Sequence, residues 1–151
     1  MTVTLVFIAL VWYMNFMKFN HIILVLTISL LIAACATGPI IVPENLTAPE
    51  LIQRGQEASD RNRYSHSIQY YSAVLERFPF DIDYICAAEY EIAFIHYKQK
   101  NYDLAKTEFN KLLERYNVPD EELLPPQFKI LSGIVLQKIE EAENSSSRAR
   151  S

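Results

Sequence analysis

Residues 62–78 read NRYSHSIQYYSAVLERF, and residues 100–116 read KNYDLAKTEFNKLLERY. Laid over one another at an offset of 38 residues, the two stretches match in kind: Tyr64 with Tyr102, Ser67 with Ala105, Tyr71 with Phe109, Val74 with Leu112, Leu75 with Leu113 and Phe78 with Tyr116. Upstream, Gly55 falls on Ala93, nine residues before each tyrosine. Apolar residues recur at spacings of three and four, the period of a helix that buries one face. Many matches in a single register point to a repeated helical unit rather than to a bundle whose amphipathic stretches agree by accident.

Working outward from this repeat, the same period predicts helices at about 49–61, 64–77, 83–99, 102–116 and 126–142. Pro49, Pro79, Pro119, Pro125 and Pro126 fall at their ends, where proline is tolerated. The last segment, PQFKILSGIVLQKIEEA, carries a broad apolar face of Phe128, Ile130, Leu131, Ile134, Val135 and Ile139, while Lys138, Glu140 and Glu141 face water. Two helical hairpins bury too little by themselves, so this segment is read as an end cap; the alternative is that its face docks a partner helix. The serine-rich end, residues 143–151, is expected to be disordered. The expected fold is all-α: two helical hairpins and a capping helix over residues 48–142.

The pattern resembles the tetratricopeptide repeat, a solenoid of helical hairpins of ~34 residues, here lengthened by about four. In that family small residues stand where the two helices of a hairpin cross, bulky ones where they pack, and proline near the end. Gly55 with Ser67, and Ala93 with Ala105, take the crossing sites; Tyr71 with Val74, and Phe109 with Leu112, take the packing sites; Pro79 closes the first unit. Leu51 and Glu89 depart from the family, which favours tryptophan there, as do Arg54 in place of an aliphatic residue and Asn117 in place of the second proline.

The 151 residues carry a net charge of −4, which argues against nucleic acid as a partner, because a binding face for phosphate has to be basic. Three glycines leave little room for a phosphate-cradling loop, and two cysteines build neither a disulfide framework nor a four-thiolate zinc site. The apolar residues crowd the start of the chain. Val3–Met14 is one run and IILVLTISLLIAA, residues 22–34, is a second. Neither reaches the ~20 residues of a bilayer span. The second run fits the core of a secretory signal behind Met17 and Lys18, with translation starting at Met17. One uncleaved anchor or hairpin over residues 3–34 is the competing reading, against which stand Asn15, Lys18, Asn20 and His21.

Ile32, Ala33 and Ala34 lead into Cys35 and resemble the lipobox of bacterial lipoproteins. That resemblance implies cleavage of residues 1–34, a diacylglycerol on the Cys35 thiol, and often palmitate or a similar acyl chain on the new amine. Ala36, in place of the aspartate that retains such proteins at the inner membrane in many two-membrane bacteria, favours the outer membrane. Loss of Lys18 with the signal takes the net charge to −5, so the acyl chains rather than overall charge must hold the protein. Gly38, Pro39 and Pro43 exclude a helix from residues 36–47, and residues 35–47 are read as the lipidated cysteine and a flexible tether.

Catalytic groups are not evident. His66 and His96 lie 30 residues apart, without the spacing of a zinc helix, and Cys86 has no neighbouring thiol. The expectation is no enzyme, no cofactor and no metal. By repeat register the concave surface would carry Ile52, Gln56 and Ser59, then Tyr90, Phe94, Tyr97 and Lys98, and aromatics are common anchors of interfaces. Simple packing of Tyr90 and Phe94 between helices is the alternative.

A lipobox followed by such repeats resembles the BamD (ComL/YfiO) family of outer-membrane assembly lipoproteins, over residues 50–117. The likeness implies a scaffold on the periplasmic face of the outer membrane. Its implied partners are the barrel insertase and other assembly components. Other readings are a tetratricopeptide adaptor for cell-wall or secretion machinery, and a small lipid-anchored enzyme accessory. The family has about five repeats, against two here.

Overall fold

The computed structural model describes residues 38, 40–117, 119 and 123–148. The signal, its start at Met17 and the lipidation site Cys35 lie outside the described residues.

Local chemistry fixes the start of the first helix. The Glu50 carboxylate accepts the Thr47 backbone N–H at 2.8 Å and the Thr47 hydroxyl at 2.7 Å, which satisfies an otherwise orphaned donor at the entry of helix α1, Ala48–Asp60. Helix α2 spans Tyr64–Arg77, α3 Ile82–Lys98 and α4 Tyr102–Glu114, which tightens into a 3₁₀ turn at Arg115–Asn117; α5 spans Pro126–Arg148. The five helices fall where periodicity and proline placed them, and the described residues hold no strand.

The two three-residue connections, 61–63 and 99–101, are built alike. Among the described residues, Asn62 and Lys100 are the two non-glycine residues with positive φ, 56° and 61°. In the first turn Asn62 N–H donates to Ser59 O (2.9 Å) and Arg63 N–H to Ala58 O (2.8 Å). In the second, Lys100 N–H donates to Tyr97 O (2.9 Å) and Asn101 N–H to His96 O (2.9 Å). Both are left-handed helix caps that satisfy the last carbonyls, and they repeat at the 38-residue offset of the sequence. A lysine has no local side-chain compensation for this backbone, whereas asparagine tolerates it. Lys100→Gly is therefore expected to stabilise the protein by about 1 kcal/mol, read as a higher urea midpoint, with a smaller gain from Asn62→Gly.

Short turns make α1 with α2, and α3 with α4, antiparallel hairpins. The crossing sites are filled as small residues dictate. Ser67 Oγ donates to Gly55 O at 2.7 Å, and Ala93 and Ala105 are fully buried. Helix α3 is apolar on two faces. Ala88 and Ile95, with Tyr84 and Ile92 beside them, join Leu51, Tyr71 and Val74 of the first hairpin; Cys86, Tyr90 and Ala93 join Phe109 and Leu112 of the second. It contacts both α1 and α2, just as α5 contacts both α3 and α4.

Helix α5 buries Ser132, Val135 and Ile139, with Phe128 and Leu136 packed at the edge. The stripe 128, 132, 135, 139 is narrower than the sequence-based face. Ile130, Leu131 and Ile134 point away from it and stay 62%, 39% and 45% exposed. The serine-rich end differs from expectation too: the helix continues through Arg148. Ser145 and Ser146 hydroxyls donate to Ala142 O, Ser147 to Asn144 O, and Lys106 of α4 holds Glu143 at 2.7 Å.

Residues 40–47 contain no helix, in keeping with their prolines, yet they are held against α2. Arg77 donates from Nη1 to Pro43 O (2.7 Å) and from Nη2 to Val42 O (3.2 Å). Gln69 Oε1 accepts the Ile40 N–H at 3.0 Å, and Leu46 is buried. The part of the tether beyond residue 40 is thus docked rather than flexible, because its carbonyls find a guanidinium and its apolar residues a groove.

Candidate functional site

Helix α3 carries an aromatic row at helical spacing: Tyr90, Phe94 and Tyr97. Tyr90 and Phe94 stack with centroids 5.7 Å apart and planes 14° from parallel, and Phe94 stacks on Tyr97 at 5.7 Å and 26°. Phe128 of α5 extends the row at one end, 5.6 Å from Tyr90, and Tyr102 of α4 at the other, 6.1 Å from Tyr97. Tyr90 is buried and also meets Phe109, so it is taken up in packing; Phe94 and Tyr97 are half-buried and offer ring surface to solvent. Ile52 is half-buried against the first hairpin, and Gln56, the repeat counterpart of Phe94, is exposed.

Lys98 closes the row. Its ammonium lies 5.2 Å above the Phe94 ring and 5.9 Å from that of Tyr64, and it donates to Ser59 Oγ at 3.0 Å. Ser59 is buried. Lys98 therefore ties the end of α3 to the end of α1 while its charge sits over aromatic faces, a favourable placement.

Two turns back along α3, burial pushes the Glu91 carboxyl above its ordinary 4.5; Lys98 opposes this and Asp60 adds to it. A carboxyl raised in the folded state contributes stability that is complete below its ordinary value and lost as pH rises through the raised one. Glu91→Gln is accordingly expected to be more stable than the wild type at neutral pH. The advantage should vanish when denaturation midpoints are compared well below pH 4.5.

The other reactive side chains are occupied by structure. Cys86 is fully buried, and burial pushes its thiol up, away from the thiolate form that reacts. Burial likewise raises the phenol of Tyr116, whose hydroxyl donates to Pro125 O at 2.8 Å. Among the described residues no three His, Cys, Asp or Glu side chains gather as a metal site, and no helix is long and apolar enough to cross a membrane.

Sequence reasoning missed the ion pair of Glu89 and Arg115. The Glu89 carboxylate, 8% exposed, accepts from Arg115 Nε and Nη2 at 2.7 Å each. The signal was present, since Glu89 stands where an apolar residue fits the repeat, but its partner lies 26 residues on.

The fold and this surface define an all-α protein of two like hairpins and a terminal helix. No protein-family model matches the chain. It is similar to an uncharacterized protein of Treponema pallidum (strain Nichols), at 34% identity over 108 residues. The match takes in 70% of this chain but 43% of that relative, so the chain spans less than half of the relative's length. No solved structure matches.

Proposed function

We propose that the protein is a lipid-anchored periplasmic adaptor, a short tetratricopeptide-type array that binds segments of other proteins and is held on the outer membrane through acylated Cys35. The observation that carries the repeat reading is the pair of left-handed turns with the same hydrogen bonds 38 residues apart, each joining helices that cross at small residues. The two-sided packing of α3 supports it further, since each unit of a solenoid must pack on both neighbours. Partner contact is assigned to the half-buried rings of Phe94 and Tyr97, on a row held rigid by the buried Tyr90, with Lys98 at its end and the exposed Gln56 and half-buried Ile52 of α1 as further candidates. Aromatic surface that is fixed before binding loses little entropy on association.

The resemblance to the BamD family directs the proposal to outer-membrane β-barrel assembly. Service to cell-wall or secretion machinery is the second reading, and catalysis is not part of either. Palmitate labelling in cells, comparing wild type with Cys35→Ser, tests the anchor. In-cell crosslinking followed by mild solubilisation and mass spectrometry tests the partner. Recovery of the barrel insertase, reduced in Phe94→Ala/Tyr97→Ala, supports the assembly role; its absence from an intact complex of other envelope proteins would move the reading to the second.

A further inference from the structure

We propose that the end of the helical domain bearing its two inter-helix turns is a membrane-facing surface that lies on anionic lipid headgroups. This rests on the anchorage reading above, in that the chain is taken to be tethered to a bilayer through Cys35.

The two turns share one end of the domain. Lys98 at the end of α3 donates to Ser59 at the end of α1 and covers Tyr64 at the start of α2. Around them Arg61, Arg63, Lys98 and Lys100 are all exposed. A polar hollow of about 180 Å³ opens beside the first turn, lined by Arg54, Arg61, Arg63 and His66, with Glu57 as its acid. Three further acids stand at this end: Asp60, which closes α1, and Asp103 and Glu143, which face Lys106 at 3.6 and 2.7 Å. The opposite end is different in sign. It carries Glu44, Glu76, Asp81, Asp83 and Glu114 against Lys111 and Lys129. Its arginines are engaged: Arg77 by the Val42 and Pro43 carbonyls, Arg115 by Glu89. A chain that is acidic overall is thus polarised, with its basic pole at the turns.

The tether leads to that pole. Its carbonyls at 42–43 are held by Arg77 at the end of α2, and Ile40 is held by Gln69, nearer the start. The chain therefore runs backwards along α2 toward the first turn. From Gln69 to Tyr64 is roughly 8 Å at the helical rise. From residue 40 to Cys35 an extended chain reaches at most roughly 17 Å. The leash is long enough to set the turns on the headgroups. It is also short enough to keep them within a few Debye lengths of about 8–10 Å, the range over which the attraction acts. Net negative charge does not bring such a protein to an anionic membrane, but once it is tethered, its dipolar charge decides which end faces down.

The test uses the membrane-bound full-length protein, purified with whatever anchor it carries and reconstituted into vesicles. One set is phosphatidylcholine alone; the other contains roughly one-third phosphatidylglycerol. A fluorophore is placed at Ser65→Cys, beside the turns, or at Phe80→Cys, in the connection at the opposite end. Phe80 is 97% exposed, Cys86 is buried, and Cys35 is taken up by the acyl anchor on which the measurement rests, so labelling is selective. A quencher is carried on the lipid headgroups. Each basic side chain near an anionic surface favours the docked form on the order of five-fold. Quenching at 65 should rise several-fold on the anionic vesicles, fall away in high salt, and be lost in Arg61→Gln/Arg63→Gln/Lys100→Gln, while the probe at 80 stays unquenched. Equal quenching at 65 on both vesicles, or quenching at 80 as strong as at 65, overturns the proposal. Coupling Cys35 to a maleimide lipid, with the probe at 65 or 80 introduced as a fluorescent amino acid so that it does not compete for the maleimide, repeats the measurement without natural acylation. A positive result there with no palmitate labelling in cells would remove the anchor reading and leave the basic surface standing.

Discussion

Gly55→Ala is expected to destabilise the helical domain by about 2 kcal/mol, net of the ~1 kcal/mol that alanine gains over glycine inside a helix. A methyl group at position 55 would sit 2.7 Å from Cζ of Tyr71 and 2.9 Å from its Cδ1, and closer still to Cε1. That ring is fully buried, and the two helices are tied at this level by the Ser67 hydroxyl on the Gly55 carbonyl, so neither the ring nor the backbone yields easily. The second hairpin shows the alternative solution, with Ala93 opposite Phe109 and no hydroxyl bridge because Ala105 replaces Ser67. Gly133→Ala is the matched control. It lies in α5 with open space around its Cβ position, and it should gain about 1 kcal/mol. Urea unfolding followed by circular dichroism reads both. A Gly55→Ala protein as stable as the wild type would mean that the close crossing is not needed for the first hairpin.

What the sequence disclosed follows from which interactions are local. Helix positions were legible because burial of one face imposes a period, and the crossing sites because a close approach excludes bulk whatever the neighbours are. The turns were legible as places more than as conformations: Asn62 is a residue that tolerates a left-handed backbone, but Lys100 is not, so residue type hinted at the first turn and not at the second. Rotation of α5 was misjudged because Ile130, Leu131 and Ile134 are as apolar as the residues that pack, and the choice of stripe depends on α3 and α4. Composition put the tether in solvent as far as residue 47, while its docking depends on Arg77, 34 residues away from Pro43. In the candidate surface, register placed Tyr90, Phe94 and Tyr97 on one row, but the burial of Tyr90 is set by Phe128, which belongs to α5.

The ion pair of Glu89 with Arg115 gives the second large effect, and its sign depends on how it is broken. Arg77 and Arg115 stand at equivalent places in the repeat, at the close of VLERF and LLERY. The first clamps the incoming chain, and the second neutralises a carboxylate that replaces the buried Leu51 of the first unit. Arg115→Met leaves that carboxylate buried without a partner. Removing one member of a buried pair costs ~3–5 kcal/mol, and because the Arg115 side chain is 39% exposed the expected loss falls at or just below the bottom of that range, about 2–3 kcal/mol. Glu89→Leu alone leaves a guanidinium that can turn to water, so its cost should be smaller. The double variant Glu89→Leu/Arg115→Met recreates the apolar solution of the first hairpin and should return close to wild-type stability, since buried pairs can be replaced by well-packed apolar residues at little cost. Denaturant midpoints of the four proteins give the coupling energy directly. If the double variant is as unstable as Arg115→Met, the pair is fixing geometry at the end of α4 that leucine and methionine cannot, and the repeat equivalence of positions 51 and 89 fails.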